Sequence, residues 1–146
     1  MRACVQRVTQ ASVTIAGEVV GRIEQGLLVL LGVAGGDVAN DANYLAEKIV
    51  GLPIFEDEAG KMNRSLVDVA GGLLIVSQFT LAADVSGGNR PSFTGAAPPA
   101  QGRALYEALL LQARARHPQV AAGRFGADMQ VALVNDGPVT IPLTIR

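Results

Sequence analysis

Apolar and polar positions alternate along the first part of the chain. Ala3-Cys4-Val5-Gln6-Arg7-Val8 and Ser12-Val13-Thr14-Ile15 carry the two-residue period of half-buried strands. Glu18–Ile23 follows across Ala16-Gly17, and two such runs around a glycine turn predict a hairpin. Leu27–Leu31 is apolar without a break, the pattern of a short strand covered on both faces. The period then changes. Ala42, Leu45, Ala46, Ile49 and Val50 recur at helical spacing, with Asp37 placed to cap the helix and Gly51 and Pro53 to end it. Ile54-Phe55 predicts a short strand closed by the acidic turn Glu56–Gly60. Leu73–Val76 predicts a second buried strand, running straight into Ser77-Gln78-Phe79-Thr80-Leu81. Residues 82–99 read as loop. Pro98-Pro99 opens a second helix with Ala104, Leu105, Ala108, Leu109 and Gln112 on one side. It ends before His117-Pro118, since a residue preceding proline avoids the α region. Met129–Val134 alternates again, and Val139–Ile145 supplies a last strand beyond the break at Asp136-Gly137-Pro138. There is no repeat and no boundary, so the expectation is one domain over residues 1–146. Its class is α+β: a mostly antiparallel, barrel-like sheet with two packed helices.

Composition narrows the chemistry. A chain of 146 residues with 49% hydrophobic content can bury a real core. Cys4 is the only cysteine and His117 the only histidine, which excludes structural zinc, iron–sulfur ligation and a disulfide framework within one chain. No metal and no cofactor are expected. A Ser-His-Asp triad would depend entirely on where His117 falls. A net charge of −1 makes the chain no bulk polycation, so affinity for nucleic acid must come from a local patch. Arg90, Arg103, Arg114, Arg116, Arg124 and Lys61 are candidates for one. The longest apolar stretch, Gly26–Gly36, falls far short of the ~20 residues a membrane helix needs. The first residues lack the apolar core of a signal peptide, and the expectation is a cytoplasmic protein without membrane association. Cys4 reads as a small buried hydrophobe, His117 as a solvated residue at a helix end, and Glu56-Asp57-Glu58 as an exposed turn.

Three segments break pattern where a strand ends. Ser77-Gln78-Phe79-Thr80-Leu81 follows an apolar strand, where successive backbone N–H groups can face an oxyanion with a hydroxyl beside them. The plainer reading is a strand leaving the core, its hydroxyls satisfying nearby backbone. Asn135-Asp136-Gly137-Pro138-Val139-Thr140 is strong turn chemistry. Its Gly-Pro bond is either part of an ordinary hairpin turn or a cis bond whose parallel carbonyls line a pocket. Gly87–Phe93 is either an ordered surface loop or a lid that binds phosphate. No Walker loop, dinucleotide fingerprint or H-E-x-x-H motif occurs.

Taken together, these residues carry a resemblance. Gln6-Arg7-Val8 with Ala11-Ser12-Val13, Gly26–Val33, Ser77–Leu81, Arg90-Pro91-Ser92-Phe93 and Asn135–Thr140 stand in order over essentially the whole chain. The sequence closely resembles the bacterial D-aminoacyl-tRNA deacylases. The resemblance implies a homodimeric hydrolase of barrel-like α+β fold, with active sites at the subunit interface. Such enzymes cleave the ester between a D-amino acid and the tRNA 3′ ribose, remove glycine mischarged onto alanine tRNA, and reject L-aminoacyl-tRNA. It implies that Ser77, Gln78, Phe79 and Thr80 form the catalytic wall, with amides near Gln78 and Phe79 facing the attacked carbonyl. It implies that Gly137-Pro138 is cis and reaches into the partner's pocket to exclude L side chains. Arg7, Met129, Asn135, Val139 and Thr140 would support the site. Phe79 and the Asp136–Val139 context fit this family better than sister deacylases with a trans Gly-Pro. Water would be the nucleophile, positioned by the substrate's 2′-hydroxyl, since nothing in the sequence supplies a base beside Thr80. The other functions in view are a small-molecule esterase or lactonase, and a non-catalytic RNA-binding dimer.

Overall fold

One long strand, β1 (Arg2–Ile15), is the spine of the sheet in the computed structural model, which describes residues 1–145. Strand β2 (Glu18–Ile23) returns antiparallel along Ala11–Ile15, through a turn in which Ala16 and Gly17 both take positive φ. Strand β3 (Gly26–Gly32) continues on the same edge of β1, pairing with Arg2–Val8. Helix α1 (Ala39–Gly51) follows, then the small hairpin β4 (Phe55–Glu56) and β5 (Met62–Arg64). Strand β6 (Gly72–Ser77) lies parallel to β3, and β7 (Val120–Ala122), after helix α2 (Pro99–Arg116), lies parallel to β6. Strand β8 (Gln130–Thr144) runs antiparallel along the other edge of β1.

Glycines let this sheet curl. A Cβ on Gly21 would stand 2.7 Å from the Ala122 carbonyl oxygen, so β2 folds back onto β7 and the barrel nearly closes. The helices cover one face, where Val5, Leu27, Val29, Leu73 and Ile75 meet Leu45, Ile49 and Leu109. The inside of the curl holds a second core of Val8, Val13, Leu28, Leu74 and Val76. Strands β3 and β6 are therefore buried on both sides, as their unbroken apolar runs require.

Several expectations are corrected. The sheet is mixed, because the β3–β6–β7 pairings are parallel. Val139–Ile145 is not a separate strand: β8 runs through Gly137-Pro138 with a bulge. Asp37 does not cap α1. Its carboxylate takes the Met1 ammonium at 2.6 Å and the Ala34 amide, while Asp41 accepts the Val38 amide at the helix start. On α2, Ala104 is exposed, and Gly102, Leu105, Tyr106, Leu109, Leu110 and Ala113 are buried. His117 is not solvated either. It is 4% exposed, with Nε2 at 2.6 Å from the Gly71 carbonyl oxygen, a polar contact that lets it enter the core. Cys4 is only half-buried, on the open face of β1.

Candidate active site at two strand ends

Ser77 is the last residue of β6, opposite Leu31 of β3. The chain then tightens into a 3₁₀ turn, Phe79–Ala82. Gly32 makes this possible: a Cβ there would meet Leu81 Cβ at 2.9 Å and the Gln78 carbonyl oxygen at 3.2 Å. Arg2 donates to the Leu81 carbonyl from the other side at 2.9 Å. The Gln78 amide donates to the Leu31 carbonyl at 2.7 Å. That corrects one expectation, because a committed Gln78 N–H is not a free oxyanion donor. Phe79 and Thr80 open the 3₁₀ turn, positions whose N–H groups have no acceptor inside the turn itself.

The side chains here supply no activating base. Gln78 Nε2 donates to Thr80 Oγ1, so the threonine hydroxyl is held by a neutral amide. His117 is engaged at Gly71. Phe79 is exposed, with its ring edge-on to Phe93 at 5.3 Å. That contact brings the Gly87–Phe93 loop against the turn, and the paired amides of Asp84 and Ser92 close the loop's base.

The second motif is a bulge in β8. The β1–β8 ladder pairs Gln6 with Thr140 and Val8 with Asn135, so Arg7 alone stands opposite Asp136, Gly137, Pro138 and Val139. The extra residues are pushed out of the ladder, and Gly137 turns the chain at φ 69°. Gly137 and Pro138 are exposed. No described peptide bond is cis, so the Gly137–Pro138 bond is trans and the expectation of a cis bond is corrected. The positive φ at Gly137 and the bulge push Gly137-Pro138 out of the ladder without a cis bond.

Arg7 holds this bulge from inside the protein. It is 7% exposed, and its Nε and Nη2 donate to the Asp136 carbonyl at 3.0 and 2.9 Å. Nη1 donates to the Ile54 carbonyl at 2.9 Å, and the Asp136 carboxylate lies 3.5 Å from Nε. A planar, permanently charged fork suits two converging carbonyls and one carboxylate.

A cavity of about 350 Å³ opens on the face of the sheet away from the helices, lined by Cys4, Gln6, Leu28, Leu30, Gln78 and Thr140, among others. It joins Gln78, at the start of the turn, to Thr140 of β8. Val131 also lines it, and Met129 packs with Val131 against the core inside the curl. Arg7 and Asp136 line a different cavity, with Glu56 and Arg64. Within one chain, therefore, Gln78 and Thr140 share a cavity that Gly137 and Pro138 do not line. Val139 turns inward against the helix-side core, and Asn135 is exposed. Gln6 was not foreseen as part of the site. Its signals in the sequence are its place in the Gln6-Arg7-Val8 motif and its polarity in the strand-like run Ala3–Val8.

In the acidic turn, Asp57 is used in the turn's own hydrogen bonds. The Asn63 side-chain amide, and then the Lys61 backbone amide, hold the Asp57 carboxyl below its ordinary pKa. No group of metal-ligating side chains occurs among the described residues. Of the basic candidates, Arg116 is tied to Asn43 and Gln112, and Arg103 stacks over Phe125.

Comparison with known proteins bears on the whole chain. The family model for D-Tyr-tRNA(Tyr) deacylase matches residues 4–144. A D-aminoacyl-tRNA deacylase from Variovorax paradoxus (strain S110) is 65% identical, over 98% of this chain and 98% of its own length. One from Polaromonas naphthalenivorans (strain CJ2) is 63% identical, over 99% of this chain and 97% of its own. A solved structure of a c-Myc DNA unwinding element binding protein superposes with TM-score 0.95 at 44% identity, covering 100% of this chain and 99% of that one. A probable eukaryotic D-amino acid tRNA deacylase superposes at TM-score 0.87 with 18% identity, covering 99% and 98%, which speaks for the fold alone. With its sequence matched from end to end and its strand-end motifs in place, the chain belongs to the D-Tyr-tRNA(Tyr) deacylase family.

Proposed function

We propose that this protein hydrolyses the ester joining a D-amino acid to the 3′-terminal adenosine of tRNA. It also clears glycine mischarged onto alanine tRNA and spares L-aminoacyl-tRNA, a proofreading step of translation. The observation that carries the reading is the turn after β6. It brings Gln78 to the wall of an open cavity, with the first amides of a 3₁₀ turn following at Phe79 and Thr80 and with Thr80 held by an amide rather than a base. An aminoacyl ester is already activated, so positioning plus oxyanion stabilisation suffices; one such donor is worth roughly 2.7–4 kcal/mol. The amides of Phe79 and Thr80 serve the oxyanion. Water attacks, oriented by the neighbouring 2′-hydroxyl of the substrate, and the ribose oxygen leaves with a proton.

Gly137-Pro138 sets the handedness. A rigid, exposed bulge packed against the α-carbon leaves room on one side only, so D side chains and glycine point outward while L side chains collide. The bulge acts in the pocket of a second copy. β8 pairs with β1 along one edge, and no described strand pairs its other edge, which carries exposed Leu133 and Val134. A long free edge of this kind calls for a partner, and a homodimer across β8 brings each Gly137-Pro138 to the partner's Gln78 cavity. Met129, Asn135, Val139 and Thr140 support the two motifs. No described helix is long and apolar enough to cross a membrane. The substrate places the enzyme in the cytoplasm with the translation machinery.

The test is ester loss from D-Tyr-tRNA, L-Tyr-tRNA and Gly-tRNA with the purified protein. The expected result is rapid loss of the D-tyrosyl and glycyl esters and an intact L-tyrosyl ester. Equal loss of D and L esters, or tRNA binding without ester loss, would overturn the proposal. So would turnover of free D-Tyr methyl ester as fast as the tRNA ester, which would mark a small-molecule esterase.

A further inference from the structure

Arg7 grips the β8 bulge from the inside, and its neighbour in sequence reaches the same bulge from the other face. Gln6 Nε2 donates to Asn135 Oδ1 at 3.2 Å. Asn135 is the residue at which β8 leaves the ladder, opposite Val8, immediately before Asp136. Successive residues of a strand point to opposite faces, so Gln6 and Arg7 hold successive residues, Asn135 and Asp136, from the two sides of the sheet. Gln6 also lines the cavity that holds Gln78 and Thr140. It therefore links that cavity to the base of the bulge.

The other end of the Gln6 amide is informative. Its Oε1 is buried without a hydrogen-bond partner. A buried acceptor left unpaired is a cost to stability, so an apolar side chain of the same length would serve the fold at least as well. The hydrogen bond that Gln6 does make is the one that reaches the bulge.

We infer that Gln6 is a positioning residue for chiral selection: with Arg7 it forms a two-sided clamp that fixes where the Gly137-Pro138 bulge stands. This rests on the proposed role of Gly137-Pro138 as the handedness filter. A steric filter discriminates only while it is rigid. If the outer half of the clamp is cut, the bulge gains freedom to yield before an L side chain, while the amides at Phe79 and Thr80 stay where β3 and β6 hold them. Gln6 thus affects the ratio between the two enantiomers more than the rate of the preferred one.

The test uses the full chain, D-Tyr-tRNA and L-Tyr-tRNA, and three variants: Gln6→Met, Asn135→Ala and the double variant. Gln6→Met keeps length and volume and removes the hydrogen bond. The expected result is a fall of at least tenfold in the D-over-L ratio of kcat/KM, arising chiefly from a rise in L-ester cleavage. The melting temperature of Gln6→Met is expected to equal or exceed that of the parent. Asn135→Ala gives a similar loss of selectivity, and the double variant loses no more than either single one, since both cut one bond. A D-over-L ratio within twofold of the parent in both single variants, with folded protein, overturns the inference. So does a fall in melting temperature for Gln6→Met with the ratio unchanged, which is the outcome of a merely structural role. A parent protein without D-over-L preference overturns the proposed function and this inference with it. A parent that discriminates alongside variants that discriminate equally overturns the clamp alone.

Discussion

The two strand-end motifs are held in place by different means. The Ser77–Thr80 turn is wedged by main chain: Gly32 leaves room beneath Leu81, and the Gln78 amide is bonded to Leu31. The Gly137-Pro138 bulge hangs on side chains, with Arg7 on its inner face and Gln6 on its outer one. A turn fixed by backbone packing tolerates changes in its own side chains and fails when a Cβ intrudes under it. A bulge fixed by side chains fails when a clamp is cut. The chemistry is therefore expected to depend on small residues and the selectivity on polar ones.

Cutting the inner clamp should have the largest effect. Arg7→Ala leaves the Asp136 and Ile54 carbonyls without their donor, and it is expected to cost about 3 kcal/mol in urea unfolding. The D-over-L ratio of kcat/KM for Tyr-tRNA should fall by about 100-fold, more than in Gln6→Met, because the bulge loses its main anchor while the turn after β6 stays in place. Arg7→Lys should not restore it, because an ammonium cannot reproduce the fork. Wild-type stability in Arg7→Ala would show that the bulge stands unaided.

Intrusion under the turn comes next. Gly32→Val places methyl groups where Leu81 already lies within 2.9 Å of a Cβ, an overpacking expected to cost about 1–3 kcal/mol. Its kinetic signature should differ from that of the clamp: kcat falls for D-Tyr-tRNA and Gly-tRNA alike, with L-Tyr-tRNA still refused. Gly137→Ala should be milder. It forces an L residue to φ 69° with its Cβ 3.4 Å from Arg7 Nη2, costing about 1–2 kcal/mol, and should relax selectivity more than it slows turnover.

Tyr106 belongs to neither motif and serves as the control. Its hydroxyl donates to the Ile75 carbonyl at 2.9 Å, and burial pushes its pKa up to about 12. The folded state thus holds this proton more tightly than the unfolded chain, whose tyrosine titrates near 10. The stabilisation is complete below pH 10 and is lost as pH rises from 10 towards 12. Tyr106→Phe should flatten that alkaline loss and cost about 1 kcal/mol at neutral pH. It should leave the D-over-L ratio unchanged. A parallel shift in the ratio would mean that the helix-side core and the bulge are coupled.

The difference between the two motifs also governs what the sequence reveals. Strands β1, β2, β3 and β6 and both helices were legible because each buries a periodic or unbroken apolar set. Strands β5 and β7 are too short to show a period, and their pairing is decided by neighbours distant in sequence. The parallel pairing of β3 with β6 was invisible for the same reason. Asp37 looked like a cap because local sequence cannot show that Met1 lies beside it. His117 looked solvated because its acceptor, the Gly71 carbonyl, comes from another segment. Of the site, the Ser77–Thr80 turn was legible as a break at the end of an apolar run. The sequence marked Gly137-Pro138 as a turn but did not determine its geometry. That geometry is set by a register step between β1 and β8 and by Arg7, neither of which is local.

The central claim is that the main chain after β6 performs the chemistry without a side-chain nucleophile. The direct measurement is the single-turnover rate of D-Tyr-tRNA deacylation by Thr80→Ala, with folding verified by its melting temperature. The expected rate lies within a few fold of the parent. Near-total loss of deacylation in a folded Thr80→Ala protein would contradict the claim.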